Sequence, residues 1–300
     1  RELKRTPSRR ATQQEVTIQM VTNSALPAST ACAALELPRS RYYRWQLQQH
    51  TSSERPDNDA ALKATIHEIA LENPGYGYRR VSAELHRQGT VANHKRVLRL
   101  MREEHLLCKV RSYKPRTTDS NHDEPLYPNL AKDAFVTRPN QLWVADITYV
   151  SILACWLYLA VIIDVYSRKV IGWALSRRID AQLTLDALER AIDERRALGF
   201  EGLIHHSDRG KQYAAHVYVE RLKTLGIRVS MTESGNPREN AFAESFMKTL
   251  KVEEVYLKEY QTFEDALKNI TAFIEDVYNA KRLHSSIGYR PPNELEAEVL

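Results

Sequence analysis

Cysteine is scarce in this sequence, and nothing in it is built to cross a membrane. Cys32, Cys108 and Cys155 are the three cysteines in 300 residues, and they stand far apart with no CxxC spacing. That excludes a disulfide framework and a cysteine-based zinc site. No apolar run reaches the length of a bilayer span, and the start lacks the charged-then-apolar pattern of a signal peptide. Internal repeats and low-complexity tracts are also missing. A reducing cytoplasm, with no membrane partner, is the expected setting. Because the chain begins at Arg1 rather than Met, it is expected to be a fragment or a processed product.

What is present is an ordinary globular composition, 43% hydrophobic and 27% charged, with length for two or three small domains. The net charge of +5 is unevenly spread. Residues 1–112 carry 19 Lys and Arg against 11 Asp and Glu, whereas the rest carry 24 against 27. A basic first third on a slightly acidic remainder suggests a polyanion-binding arm joined to something else, although a solvated basic surface would look the same.

Short helices fill that first third. Residues 12–25 show apolar spacing of helical period, Ser29 or Thr30 offers an N-cap for the next helix, and a third begins behind Pro38. This last helix carries Arg39, Arg41 and Arg44, which suits a helix-turn-helix segment over residues 1–56 reading double-stranded DNA. Residues 51–57 read as a polar linker. A second helical DNA-binding domain is expected over 57–112: a helix ending before Pro74, a "PGYGY" turn, a short helix closed by Gly89, and another capped by Asn93. Lys95, Arg99 and Arg102 lie along one face of that helix and could follow phosphates.

Periodicity fades from Tyr113, where Pro115, Pro125, Pro128 and Pro139 predict an extended linker over 113–140. A core domain over 141–255 follows, with a helical C-terminal segment over 256–300. "QLWVADITYVSI" and two β-rich runs split near "YSRK" predict three strands. Helix, strand, helix and strand then alternate before two long helices. The pattern predicts a mixed α/β sheet domain behind small all-helical units.

Within that core, Asp146 interrupts an apolar strand and Asp208 follows "LIHHS" at a strand's C-terminal end, where α/β sheets place ligands. Either aspartate alone could be a turn cap. Glu244 falls on a helix where Asn240, Glu244, Lys248 and Lys251 share a stripe about 80° wide. Phe242, Phe246 and Leu250 point away from that stripe, towards a core. An exposed Glu–Lys pair is the plain alternative there. Three oxygen donors of this kind suit Mg²⁺ or Mn²⁺, and two such ions can serve an in-line phosphoryl transfer, with Lys248 and Lys251 on DNA phosphates.

Three blocks, "WVADITYV", "HHSDRGKQY" and "GNPRENAFAESFMKTLK", resemble the catalytic blocks of transposases of the insertion-sequence-3 family, OrfB type, within the DDE integrase group. The 35 residues between Asp208 and Glu244 match that group's spacing. "YNAKRLHSSIGYRPPNELE" resembles the family's C-terminal signature and "NPGYGYRRV" with "NHKRVLRLMRE" its helix-turn-helix, so the likeness runs from about Leu35 onward. The resemblance implies a ribonuclease H-like core, Mg²⁺ dependence, and cleavage and strand transfer at the ends of a mobile element. It makes Asp146, Asp208 and Glu244 the metal-binding catalytic triad, Asn240 a support of the site and, with Lys248 and Lys251, an expected DNA contact. Asp164 matches no catalytic position and reads as structural, while Glu239 stands where the family pattern has Asp. A homodimer or larger assembly on DNA, in a bacterial cytoplasm and on the nucleoid, is the expected working form.

Two rivals compete. A retroviral-type integrase would carry a His/Cys zinc module, and Cys32 and Cys108 lack its paired spacing. His205 and His206 are adjacent on a strand and point to opposite faces, so at most one could reach the site, and structural roles are expected for both. A DNA-binding regulator with an inactive core would keep the helical arm but would not need three acids at this spacing.

Overall fold

The computed structural model describes residues 17–24, 26–52, 59–107, 125–153, 155–233 and 237–300. Cys108 and the first half of the expected linker lie outside the described residues. The chain divides into two compact units, Arg1–Leu62 and Lys63–Leu300. In the first, helical residues 17–22 (α1), Ala28–Ala34 (α2) and Arg39–Ser52 (α3) close around Ile18, Val21, Ala31, Cys32, Leu37 and Tyr42. Pro38 precedes α3 as expected. Ser29 and Thr30 do not cap α2, however. The helix starts at Ala28 behind Pro27, whose φ of −53° already suits helix entry, and no side chain caps it. The third helix also runs on to Ser52, into the stretch read as a polar linker.

Helices Ala60–Glu72 (α4), Tyr78–Arg87 (α5) and His94–Glu103 (α6) form the second helical group. The Asn93 side chain caps α6 by accepting the Lys95 N–H at 2.8 Å. Val81 and Leu85 on α5 and Val97, Leu100 and Met101 on α6 are buried, so the apolar face of each helix is spent on packing and the charged face is left outside. Residues 125–141 form no helix or strand. They are nonetheless pinned: Leu130, Ala131, Ala134 and Val136 pack against the sheet core, and the Leu130 N–H donates to Ser230 Oγ at 2.8 Å.

The strands β1 (Leu142–Ser151), β2 (Trp156–Asp164), β3 (Val170–Ser176), β4 (Ile204–Ser207) and β5 (Arg228–Met231) make one sheet in the order β3-β2-β1-β4-β5. β1, β2 and β3 pair antiparallel, and β4 and β5 join β1 in parallel. Helices cover both faces. Leu142, Val144 and Val150 of β1 meet Ala243, Phe246 and Leu250 of α10 (Ala241–Leu250), together with α11 (Phe263–Ala272). Trp143 and Ala145 face Leu183, Ala187, Leu188 and Ala191 of α7 (Ala181–Arg195). The second helix of the expected alternation, residues 212–226 of the sequence, is broken into α8 (Lys211–Ala214) and α9 (His216–Thr224) at Ala215, where ψ is 131° and no Gly or Pro announces a break.

Packing of the sheet domain continues past residue 255, because Tyr260, Ile270, Phe273, Ile274 and Tyr278 belong to the same apolar cluster. The Asn279 amide accepts the Val170 N–H at 3.0 Å and donates to its carbonyl at 2.9 Å. It thereby covers the start of the edge strand β3. A last helix, α12 (Pro292–Val299), is tied to α7 by a buried Arg195–Glu296 pair. Among the described residues no helix is long and apolar enough to cross a membrane.

β3 approaches α7 so closely that only glycine fits at residue 172. A Cβ there would meet the Ala187 carbonyl oxygen at 2.2 Å and the Ala191 Cβ at 2.7 Å. Gly172→Ala is expected to destabilise the protein by about 1–3 kcal/mol through overpacking, read as a lower urea midpoint at unchanged slope.

Candidate active site

Strand register brings the two aspartates together. On the parallel pair β1 and β4, Val144 stands opposite His206. Two residues further along each chain come Asp146, within β1, and Asp208, one residue past the end of β4, so alternation turns both towards the same face. Backbone donors hold both carboxylates. The Ile147 N–H donates to Asp146 Oδ1 at 2.8 Å, and the Gly210 N–H donates to Asp208 Oδ1 at 2.9 Å.

The third acid arrives on α10. Asn240, at the start of this helix, donates its side-chain N–H to the Ala145 carbonyl at 2.9 Å, beside Asp146. Glu244 lies one turn on. Burial is the largest cause that raises the Asp146 carboxyl, from an ordinary 3.8 to about 8, and the charge of Asp208 adds to it. The Ile147 hydrogen bond opposes the rise, Glu244 adds to it, and Lys251 opposes it. Three acidic side chains and one lysine therefore act on one another at this spot. The Lys251 ammonium is half-buried over the Tyr149 ring, 4.3 Å from its centroid. Desolvation lowers its pKa, while Asp146 pulls the other way.

Whether such a set suits a divalent cation follows from its chemistry. All three donors are hard oxygens, and a cation would offset both the desolvation and the like charge that raise the Asp146 carboxyl. As the side chains stand, no three His, Cys, Asp or Glu residues among the described ones converge closely enough to hold an ion. Among the described residues the acids are charge neighbours rather than a closed ligand shell.

The other expected site residues are distributed as follows. Lys248 is exposed on α10. Asn240 is buried, at 6% exposure, which fits support of the site and leaves it no surface for DNA. Phe242 does not face the core: it is exposed beneath the Arg168 guanidinium at 3.9 Å, and Ala243 and Met247 take the inward positions instead. The helix turns about 100° per residue, so the buried stripe centres between 243 and 250 and passes 242 by. Arg41 and Arg44 are exposed on α3, and Lys95, Arg99 and Arg102 on α6, with Arg99 paired to Glu103 at 2.9 Å.

His205 and His206 are structural, as expected. His205 bonds the Tyr218 hydroxyl at 2.9 Å, and burial lowers its pKa to about 3. His206 joins Ser230 Oγ at 2.8 Å and the Glu239 carbonyl at 3.2 Å, on the opposite face. Asp164 is fully buried and accepts the N–H groups of Asn140 and Tyr166 at 2.7 and 2.9 Å, which fixes the β2–β3 turn. Glu239 accepts the Glu233 N–H at 2.6 Å. One neighbour of the acids escaped sequence reading. The Tyr213 hydroxyl is buried with no hydrogen-bond partner among the described residues, and after burial the charges of Tyr218, Asp146 and Asp208 raise its pKa. Its only signal was its place in the "HHSDRGKQY" block.

Known proteins agree with this architecture. Residues 136–237 and 225–292 each match a family model described as "Integrase core domain", and residues 56–114 match one described as "HTH-like domain". Fold and family models together define an integrase-type core, a five-stranded mixed sheet covered by helices, that follows a helix-turn-helix-like unit in the chain. A 31 kDa protein of insertion element IS600 from Shigella sonnei is 40% identical over 87% of this chain and 95% of its own. The transposase for insertion sequence element IS904 from Lactococcus lactis is 38% identical over 78% of this chain and 91% of its own. Transposase InsF for insertion sequence IS3A from Escherichia coli is 35% identical over 90% and 93%. The chain belongs to the insertion-sequence-3 family of transposases, which sets aside the regulator reading.

Proposed function

We propose that Asp146, Asp208 and Glu244 form the catalytic triad of a DNA transposase that cuts and joins strands at the ends of an insertion sequence in the presence of a divalent metal. The observation that carries this reading is the gathering of acids at Asp146, whose carboxyl burial first, and then the charges of Asp208 and Glu244, push up to about 8. A surface that only bound DNA would place cations there, since phosphate affinity comes from Lys and Arg. When bound, Mg²⁺ or Mn²⁺, two ions held among the three carboxylates, would supply Lewis-acid stabilisation to both the attacking and the leaving oxygen.

The protein's own residues then have distinct tasks. Asp146 sits on a central strand and Asp208 on the turn held by Gly210, so neither carboxylate has to be gathered from a mobile loop. Glu244 completes the set from a helix anchored through Asn240. Lys248 meets phosphates at the rim, and Lys251 tempers the charge of Asp146. Water breaks one phosphodiester at the element's end and leaves a 3′-hydroxyl. That hydroxyl attacks a second phosphodiester, joining one strand as another oxygen departs. Both steps are phosphoryl transfers, so no covalent protein–DNA intermediate is required. Lys95, Arg99 and Arg102 on α6 and Arg41 and Arg44 on α3 bind the duplex. The exposed Arg99–Glu103 pair contributes little and gives way to phosphate readily. Two ends must meet for joining, which calls for a dimer or larger assembly on DNA in the bacterial cytoplasm.

Labelled duplex carrying the element's end tests this directly. Cleavage that leaves a 3′-hydroxyl is expected with Mg²⁺ or Mn²⁺ and none in a chelator. Binding without cleavage under either ion would overturn the reading.

A further inference from the structure

One carboxylate joins three parts of the molecule that the chemistry above treats separately. Gly75, in the turn between α4 and α5, has no room for a side chain: a Cβ there would meet Glu253 Cγ at 2.1 Å and one of its carboxylate oxygens at 2.5 Å. Glu253 belongs to the π-helical segment Lys251–Val255 that continues α10 beyond Glu244. Its carboxylate accepts two hydrogen bonds from Arg282, both 2.7 Å, and the two side chains are only 10% and 4% exposed. Leu283 completes the joint. Its N–H donates to the Tyr76 hydroxyl at 2.8 Å, and its carbonyl accepts from Arg80 Nε at 2.9 Å. The turn of the helix-turn-helix-like unit, the helix bearing Glu244 and the C-terminal segment all meet here.

A buried ion pair is a poor source of net stability, because desolvation offsets most of its attraction, and its best-attested use is to fix register. Register matters for an enzyme that must cut at one phosphate. Successive phosphates on a strand advance about 3.4 Å along the duplex axis, so slack of a few ångströms between the DNA-reading unit and the acids would expose a neighbouring bond to attack. We propose that Glu253 is a positioning residue that sets the distance between α6 and Glu244 and so fixes which phosphodiester is cut. This inference rests on the transposase reading of the acidic site.

Glu253→Gln, which keeps the shape and weakens the Arg282 fork, and Gly75→Ala, which forces the turn away, test it by two measurements on the full chain. Mapping cuts in element-end DNA at nucleotide resolution is expected to show retained DNA affinity. Cutting should be slower by about tenfold or more and spread over neighbouring phosphates, as misplaced reacting groups dictate. Spin labels at the exposed Val91 and Val217, with Cys108 and Cys155 replaced by serine, give the distance between the two parts without relying on activity. A narrow distribution is expected for the parent protein and a broadened or displaced one for both variants. Unchanged distances with cuts at the parental phosphate would overturn the proposal, and so would a uniform loss of cutting at an unshifted phosphate. A parent protein that does not cut at all would sink the triad instead, and the distance distributions would still decide the joint.

Discussion

Glu244→Gln is expected to lower metal-dependent cleavage by at least about 10³-fold, the scale on which removing one member of a catalytic unit is felt. DNA binding should be kept. Glutamine preserves the volume of the side chain and its exposed place on α10, so Phe246, Met247 and Leu250 continue to hold the helix on the sheet. The substitution removes no cation, so neither the affinity for a duplex nor its dependence on salt should fall. Losing one negative charge also lowers the Asp146 carboxyl towards its ordinary range, because Glu244 is one of the groups that raise it. Activity is therefore lost because a neutral amide replaces an anionic metal ligand, rather than through a damaged site. The comparison is made on labelled element-end DNA in Mg²⁺, with binding followed on the same duplex. Equal cutting by both proteins would remove Glu244 from the triad.

Much of this site was legible before any coordinates, and the reason lies in its local construction. Asp146 interrupts an apolar strand, Asp208 ends one, and Glu244 shares a stripe with Asn240, Lys248 and Lys251, all of which is written in short windows of sequence. The strands β1 to β5 and the caps at Asn93 and Gly89 were legible for the same reason, because alternation and capping are near-neighbour effects. What stayed hidden depends on partners far along the chain. Parallel pairing of β1 with β4 sets Asp146 and Asp208 level, and nothing within either strand states which strand it will adjoin. The Glu253–Arg282 fork and its contact with Gly75 link residues from opposite ends of the sequence. The π-helical stretches after α10 and α11 carry no periodic signature distinct from an α-helix, and Phe242 was assigned inward on the assumption of a wider buried stripe than the helix has. Ser29 and Thr30 do not cap for a different reason: Pro27 sets the helix entry two residues before the first of them.

Asp146→Asn is expected to raise thermal stability near pH 8 in a chelator and to remove most of the stabilisation that Mg²⁺ gives the parent protein. The sign follows from the carboxyl's two environments. Unfolded, it ionises near 3.8; folded, burial and the charges of Asp208 and Glu244 delay ionisation to about 8. Between those values the native state holds a proton that the unfolded chain has released, so metal-free stability falls as pH rises across this window. The contribution is fully present below the unfolded value and is gone once pH passes about 8. Asparagine cannot ionise, so the variant keeps a flat profile across the same window. Added Mg²⁺ acts in the opposite sense, because a cation prefers the ionised ligand and its binding displaces the proton. Stabilisation by Mg²⁺ should therefore grow with pH in the parent and shrink to a remnant in the variant, where Asp208 and Glu244 alone remain. Each kcal/mol moves the melting temperature by roughly 2–4 °C in a unit of this size, so the divergence is measurable by calorimetry between pH 5 and 8. A variant that melts below the parent at pH 8 without metal would mean that Asp146 is held ionised by its neighbours. The crowding of acids around a buried carboxyl that carries the triad reading would then not exist.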